Sequence, residues 1–122
     1  MADLSQALAR VDEIIEREPD GNLAYEEMKQ IYDSDESTHE NVEVMWRLCK
    51  ATFLKSNTLD KKNPTKKKLL LEARSYGIKA YALDEDNYEA LKWEAICVGS
   101  MTDFLGIKDK IEQGFIFKVS NV

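Results

Sequence analysis

Proline and glycine are scarce. Two prolines and five glycines in 122 residues are too few for a long disordered tail or a repetitive linker. The chain has one histidine and two cysteines. Zinc sites need several clustered ligands, and Cys49 and Cys97, far apart in the chain, with His39 alone in a polar stretch, lack that spacing. Both cysteines fall inside apolar helical patterns, the habit of buried thiols in a reducing compartment, so a cytoplasmic chain is expected. No stretch approaches the ~18–20 consecutive apolar residues that span a bilayer. The start, MADLSQALARVDEIIERE, has no basic region leading into an apolar one and is too acidic for a transit peptide.

Catalytic signatures are missing too. There is no G-x-x-x-x-G-K-[ST], no G-x-G-x-x-G and no G-x-S-x-G. The stretch DSDESTHE, starting at Asp33, begins like a calcium loop at Asp33, Asp35 and Ser37. Its sixth position is Thr38 rather than glycine, and its twelfth is Val44 rather than glutamate, so it reads as a solvated turn that exposes Ser34 and Ser37 to phosphorylation. Carboxylates are abundant, but pairs such as Glu26 and Glu27 fall on exposed helix faces, not in an acid/base dyad. No catalytic residue, cofactor or metal site is expected.

What the chain has is charge and helical periodicity. It is 43% hydrophobic and 33% charged. Leu4, Leu8, Val11 and Ile15 repeat at helical spacing until EPDG at 18–21 stops them. A second helix is predicted from Leu23 to Tyr32, with Ala24, Met28 and Ile31 on one face. After the polar connector 33–41, Ser37 and Glu40 have capping-box spacing, which predicts the start of the third helix there. That helix runs through VEVMWRLCKATFLK, with Met45, Leu48 and Thr52 beside Trp46, Cys49 and Phe53. A loop with Pro64 and two asparagines follows. The fourth helix is predicted from near Lys66 to about Leu83, with Leu69, Ala73, Tyr76, Ala80 and Leu83 at core spacing. Asp86 or Asn87 caps a fifth helix carrying Leu91, Ala95 and Val98, which GSMTD breaks. A sixth carries Ile107, Ile111 and Phe115.

Six helices with no strand signal predict an all-α fold. Their pairing predicts a tetratricopeptide-like helical solenoid of three antiparallel helix pairs in a single domain, 1–122. The pairs are 1–35, 38–83 with a lysine-rich loop over 56–68, and 87–118. In EARSYGIKAYALDEDNYEAL, Ala73, Gly77 and Ala80 occupy small, close-packing positions. In the last pair Gly114 is the small residue and Phe115 and Phe117 the large ones. Trp46 and Trp93 are expected in the core or an inter-helix groove. Tyr25, Tyr32, Tyr81 and Tyr88 suit an amphipathic groove, because tyrosine keeps a polar tip.

The net charge of −6 hides an asymmetry. Residues 1–45 carry 3 basic and 13 acidic side chains; residues 46–82 carry 10 and 2; residues 83–122 carry 4 and 8. The basic middle centres on KKNPTKKK, with Lys61, Lys62, Lys66, Lys67 and Lys68. Arg47, Lys50, Lys55, Arg74 and Lys79 lie in the same segment. Such a run is either a solvated loop or a docking site for an anionic partner. Nucleic acid is disfavoured, because the acidic first third repels a phosphate backbone and no recognition motif accompanies the lysines.

Three segments carry a resemblance. WRLCKA (46–51), EALKWEAIC (89–97) and DFLGIKDKIEQGFIFK (103–118) resemble the regulator of microtubule dynamics family. In that family a K-W-x-A-I-C helix leads into D-[YF]-x-G-I-K-x-K-I. Here the residues are Lys92, Trp93, Ala95, Ile96 and Cys97, then Asp103, Phe104, Gly106, Ile107, Lys108, Lys110 and Ile111. The resemblance covers about 42–118. It implies a non-catalytic helical-repeat protein of the cytoplasm and spindle that associates with microtubules and acts in chromosome segregation. Some relatives carry an N-terminal membrane anchor, which is not expected here, and relatives continue with further helix pairs. The stop at FKVSNV therefore leads to the expectation of a fragment or shortened variant, self-associating through its C-terminal helix. The resemblance also supplies an acidic partner for the lysines. Tubulin's glutamate-rich tails suit flexible lysine stems, which need no fixed bidentate geometry. Two alternatives stay open: a peptide-binding adaptor that uses a concave groove lined by the first helix of each pair, and a binder of an apolar molecule between the helix layers.

Overall fold

The first helix is set by its ends. Asp3 accepts a hydrogen bond from the Gln6 N–H at 2.8 Å and starts α1, Leu4–Arg17. This computed structural model describes residues 3–101. The predicted sixth helix, with Gly114, Phe115 and Phe117, and any self-association through it lie outside the described residues. On α1 the buried residues are Leu8, Val11, Ile14 and Ile15, while Leu4 is only partly buried.

Pro19 and Gly21 end α1 as expected. Gly21 adopts φ +76°, and a Cβ there would lie 2.7 Å from the Leu54 Cβ and the Lys55 backbone nitrogen. Only glycine permits both that dihedral and that approach. It locks the turn into α2, Asn22–Ser34, against the end of the third helix. Ala24 and Met28 are fully buried on α2, and Ile31 is partly buried.

The connector contains a 3-10 helix, Glu36–Glu40, that the pattern did not reveal. Asp35 caps it through the Ser37 N–H at 2.9 Å, and the Thr38 hydroxyl donates to the Asp35 carbonyl at 2.6 Å. Ser37 therefore does not cap the next helix, a correction to the capping-box reading. Asn41 does: its side-chain oxygen accepts from the Glu43 and Val44 N–H groups at 2.9 and 3.4 Å, and α3 is Val42–Ser56. Serine and glutamate three apart fit a capping box, but here they are spent inside the tighter turn.

Burial on α3 runs nearly all round: Val44, Met45, Trp46, Leu48, Cys49, Ala51, Thr52 and Ser56. A helix buried on all sides lies at the centre of its fold, and α3 indeed packs against every other helix described. Full burial of a side chain such as Leu48, at 0% exposure, contributes about 1.5–3 kcal/mol.

Asn63 caps α4, Pro64–Leu83, through the Thr65 N–H at 2.9 Å, and Pro64 sits at the helix's first position. The helix thus begins two residues before Lys66. Leu69, Ala73, Tyr76 and Ala80 are buried as expected, with Leu70 and Gly77 added and Leu83 only partly buried. Gly77 marks a close approach between helices: a Cβ there would lie 3.0 Å from both the Cys49 Sγ and the Glu94 Cα.

Asn87 accepts from the Ala90 N–H at 3.1 Å and caps α5, Tyr88–Met101. The helix runs through Gly99 and Ser100 to Met101, inside GSMTD, and Thr102 and Asp103 lie outside the described residues. Its buried face is Ala90, Trp93, Glu94, Cys97, Val98 and Met101, whereas Leu91 and Ala95 are half-buried. The described residues are therefore all-α, with five α-helices, one 3-10 helix and no strand. Consecutive helices pack together: α1 on α2, α2 on α3, α3 on α4 and α4 on α5.

Candidate partner-binding surface

Seven residues, 57–63, join α3 to α4. The Thr58 hydroxyl donates to the Lys55 carbonyl at 2.8 Å, and the Asp60 side chain accepts from the Lys62 N–H at 2.8 Å. These local bonds shape a turn whose lysine side chains have different fates. The Lys66 ammonium reaches back to the Ser56 carbonyl at 3.0 Å. It satisfies a carbonyl at the end of α3, where the helix dipole favours a cation. Lys61, Lys62, Lys67 and Lys68 are exposed, and among the described residues none has an acidic side chain within ion-pair distance.

The other basic residues of the segment are mostly engaged internally. Arg47 on α3 forms a two-pronged pair with Asp12 of α1 at 2.9 and 3.0 Å and also binds Glu43 at 3.1 Å. Burial works against its charge, but those bonds and the charges of Asp12 and Glu43 prevail and raise its pKa. Glu43 also accepts from the Asn87 side chain at 2.9 Å, so one polar chain joins α1, α3 and the cap of α5. Burial opposes the Glu43 charge, yet hydrogen bonds from Asn87 and Arg47 and the Arg47 charge hold its pKa below the usual carboxylate value. Lys55 sits over the Tyr25 ring at 4.3 Å, and Lys79 pairs with Glu40 at 3.0 Å. Arg74 is half-buried on α4. Lys50 lies over both Trp46 and Trp93, 6.0 and 5.5 Å from their ring centres. The two tryptophans are buried, as expected for packing residues.

A second polar cluster joins α2 to α4. The Tyr25 and Tyr76 hydroxyls both donate to one oxygen of Glu72, at 2.7 and 2.8 Å. Burial, and then that bond, push both phenols up. Tyr32 stacks on His39 at 3.7 Å, and beside them opens a cleft of about 460 Å³ that includes Glu40, Met45, Tyr76 and Lys79. Of the tyrosines expected in a groove, Tyr25 and Tyr32 belong to this region, Tyr81 is half-buried on α4, and Tyr88 is 72% exposed. Tyr76 fits core spacing, and its ring is indeed buried; its hydroxyl bonds Glu72 one turn earlier on the same helix, and what only the docking of α2 supplies is the Tyr25 hydroxyl on that same oxygen. Glu94, fully buried on α5, was equally illegible in the pattern. Among the described residues no group of three or more histidine, cysteine, aspartate or glutamate side chains is placed to hold a metal ion. No described helix is long and apolar enough to cross a membrane.

Comparison with known families matches residues 7–120 to the family described as Regulator of microtubule dynamics protein 1-3. The chain is 34% identical over 119 residues to Regulator of microtubule dynamics protein 1 of Bos taurus, covering 94% of this chain and 38% of that protein. Against the Caenorhabditis elegans protein of the same name, identity is 35% over 89 residues, covering 73% of this chain and 37% of the relative. Against that of Pongo abelii it is 32% over 114 residues, covering 92% and 36%. The chain thus spans less than two-fifths of the length of these relatives. No solved structure is a significant match.

Proposed function

The chain belongs to the regulator of microtubule dynamics family, and on that footing we propose that it is a non-enzymatic microtubule-associated module that docks on tubulin's acidic tails through the α3–α4 turn. One observation carries the reading. Lys61, Lys62, Lys67 and Lys68 are exposed without an acidic side chain in reach among the described residues, while Arg47, Lys55, Lys66 and Lys79 are engaged internally. Lys67 and Lys68 also stand near the start of α4, whose first turn has no acidic residue. A cation at a helix N-terminus is unfavourable by about 0.3–1 kcal/mol, and an acidic partner relieves that. Flexible ammonium groups match a disordered, glutamate-rich tail, and the attraction fades beyond a Debye length of about 8 Å at physiological salt.

The same reading makes the chain a tetratricopeptide-like solenoid of three antiparallel helix pairs, working in the cytoplasm and on the spindle in spindle organisation and chromosome segregation. Packing between consecutive helices and the close approach at Gly77 support the solenoid. Nucleic acid is not a partner in this reading, given the acidic first third of the chain.

The test is co-sedimentation with microtubules at rising salt. The wild type is expected to pellet at low salt and release as salt rises. A variant with Lys61, Lys62, Lys67 and Lys68 changed to glutamate is expected to stay in the supernatant. Lys66 is left intact because it caps α3. Equal pelleting of the two forms would sink the lysine docking mode. No pelleting of either would favour the second reading, an adaptor that grips another protein on the face of α3 and α5. There Lys50 bridges two indole rings and Lys92 lies 5.3 Å from the Trp93 ring.

A further inference from the structure

Cys49 on α3 and Cys97 on α5 are fully buried, with their sulfur atoms 3.4 Å apart. They are the only cysteines in the chain. A disulfide needs roughly 2.05 Å, so about 1.4 Å of approach separates the thiol pair from a bond. Side-chain rotation and a small helix shift cover that distance. Gly77 of α4 lies beside the pair, and the missing Cβ leaves the Cys49 sulfur room against the α4 backbone.

We propose that Cys49 and Cys97 form a latent intramolecular disulfide that, once oxidised, pins α5 to α3. The oxidant is a peroxide. One thiolate attacks the O–O bond, becomes a sulfenic acid and releases hydroxide, which takes up a proton to give water. The second thiol loses its proton and attacks that sulfur; the S–S bond forms and the sulfenic oxygen leaves as water. Two thiols lose two electrons, and one peroxide is reduced to two waters. The native packing protects the pair. Neither sulfur meets solvent, and burial raises the Cys49 thiol well above its ordinary value, assisted by the hydrogen bond to Cys97 and the charges of Cys97 and Glu94. Oxidation therefore starts from a locally opened state in which α5 lifts from α3, and it locks the reclosed state. The bond closes a loop containing α4 and the lysine-bearing turn. Oxidation thus removes the freedom of α3 and α5 to part while leaving the lysines exposed.

The experiment treats the intact chain with hydrogen peroxide, first in buffer and then in urea below the unfolding transition. Mass spectrometry without reductant reads the product. The expected product is a monomer lighter by two hydrogens with a Cys49–Cys97 linked peptide, forming faster as urea promotes opening. Its Tm is expected to rise by roughly 10 °C and to return on reduction. Cys49→Ala and Cys97→Ala each leave one thiol, so each should give sulfinic acid or a linked dimer and no Tm rise. The proposal is overturned by wild-type chains that yield two independent sulfinic acids or intermolecular dimers. It is equally overturned by thiols that stay reduced in urea while the single-cysteine variants oxidise, or by an oxidised monomer with a lowered Tm.

Discussion

Replacing Gly21 by alanine tests the geometry that seats the α1–α2 turn on the end of α3, just before the lysine-bearing turn. Two costs add. Holding a non-glycine residue at φ +76° costs about 1–2 kcal/mol. The new methyl would also lie 2.7 Å from the Leu54 Cβ and the Lys55 nitrogen and 2.8 Å from the Ala51 carbonyl oxygen. Two of those three atoms are α3 backbone, so the helix must shift, at about 1–3 kcal/mol for an overpacked site. A stiffer unfolded chain returns about 0.4–1 kcal/mol. The net expected loss is about 2–4 kcal/mol, which at a urea m-value near ~2 kcal/mol/M lowers the midpoint by about 1–2 M. Gly99→Ala is the matched control. Gly99 is exposed on α5 and nothing lies within 4 Å of an added Cβ, so the better helix former should stabilise by about 0.5–1 kcal/mol. Urea unfolding followed by circular dichroism reads both. If Gly21→Ala and Gly99→Ala shift the midpoint by the same amount and sign, the argument from left-handed backbone and close approach fails.

Acid should expose the polar chain that joins α1, α3 and α5. The folded-state pKa of Glu43 is lowered, so its contribution is present above the ordinary carboxylate value and lost as pH falls through the folded one; Glu43→Gln should flatten that part of the acid unfolding profile. Alkali probes the α2–α4 cluster with the opposite sign. The phenols of Tyr25 and Tyr76 are pushed above the ordinary value of 10.0, so stability present below pH 10 is lost as pH rises beyond it. Tyr25→Phe and Tyr76→Phe should each reduce the alkaline loss and delete one phenolate that appears only on unfolding, as ultraviolet absorbance would show. At neutral pH, Tyr76→Phe should cost about 1 kcal/mol through the lost bond to Glu72, and no change in urea midpoint would refute that bond.

Much of the local architecture was legible in the sequence because its causes are local. Apolar spacing located α1 to α4, and Asn87 before α5 acts through a hydrogen bond within three residues, whereas Asn63 and Pro64, which read as loop, cap and open α4. Errors arose where two local solutions competed. Ser37 and Glu40 fit a capping box, but the chain folds them into a 3-10 turn and uses Asn41. Leu91 and Ala95 fit a buried helical spacing on α5, but the face that docks is Ala90, Trp93, Glu94, Cys97, Val98 and Met101, a choice set by the neighbouring helices rather than by the spacing.

The pattern of residues by itself determined the helical class, most helix ends and the concentration of positive charge around Lys61–Lys68. Only the tertiary structure decided how those charges are used. Arg47 is drawn to Asp12 across 35 positions of sequence, and Lys66 turns back onto α3. Lys61, Lys62, Lys67 and Lys68 are left facing solvent. The same packing brought Cys49 to Cys97 and placed Gly77 beside them. Helical periodicity specifies which face of a segment is buried, but not which side chain of another helix it will meet; that depends on how the helices dock, a property of the whole chain.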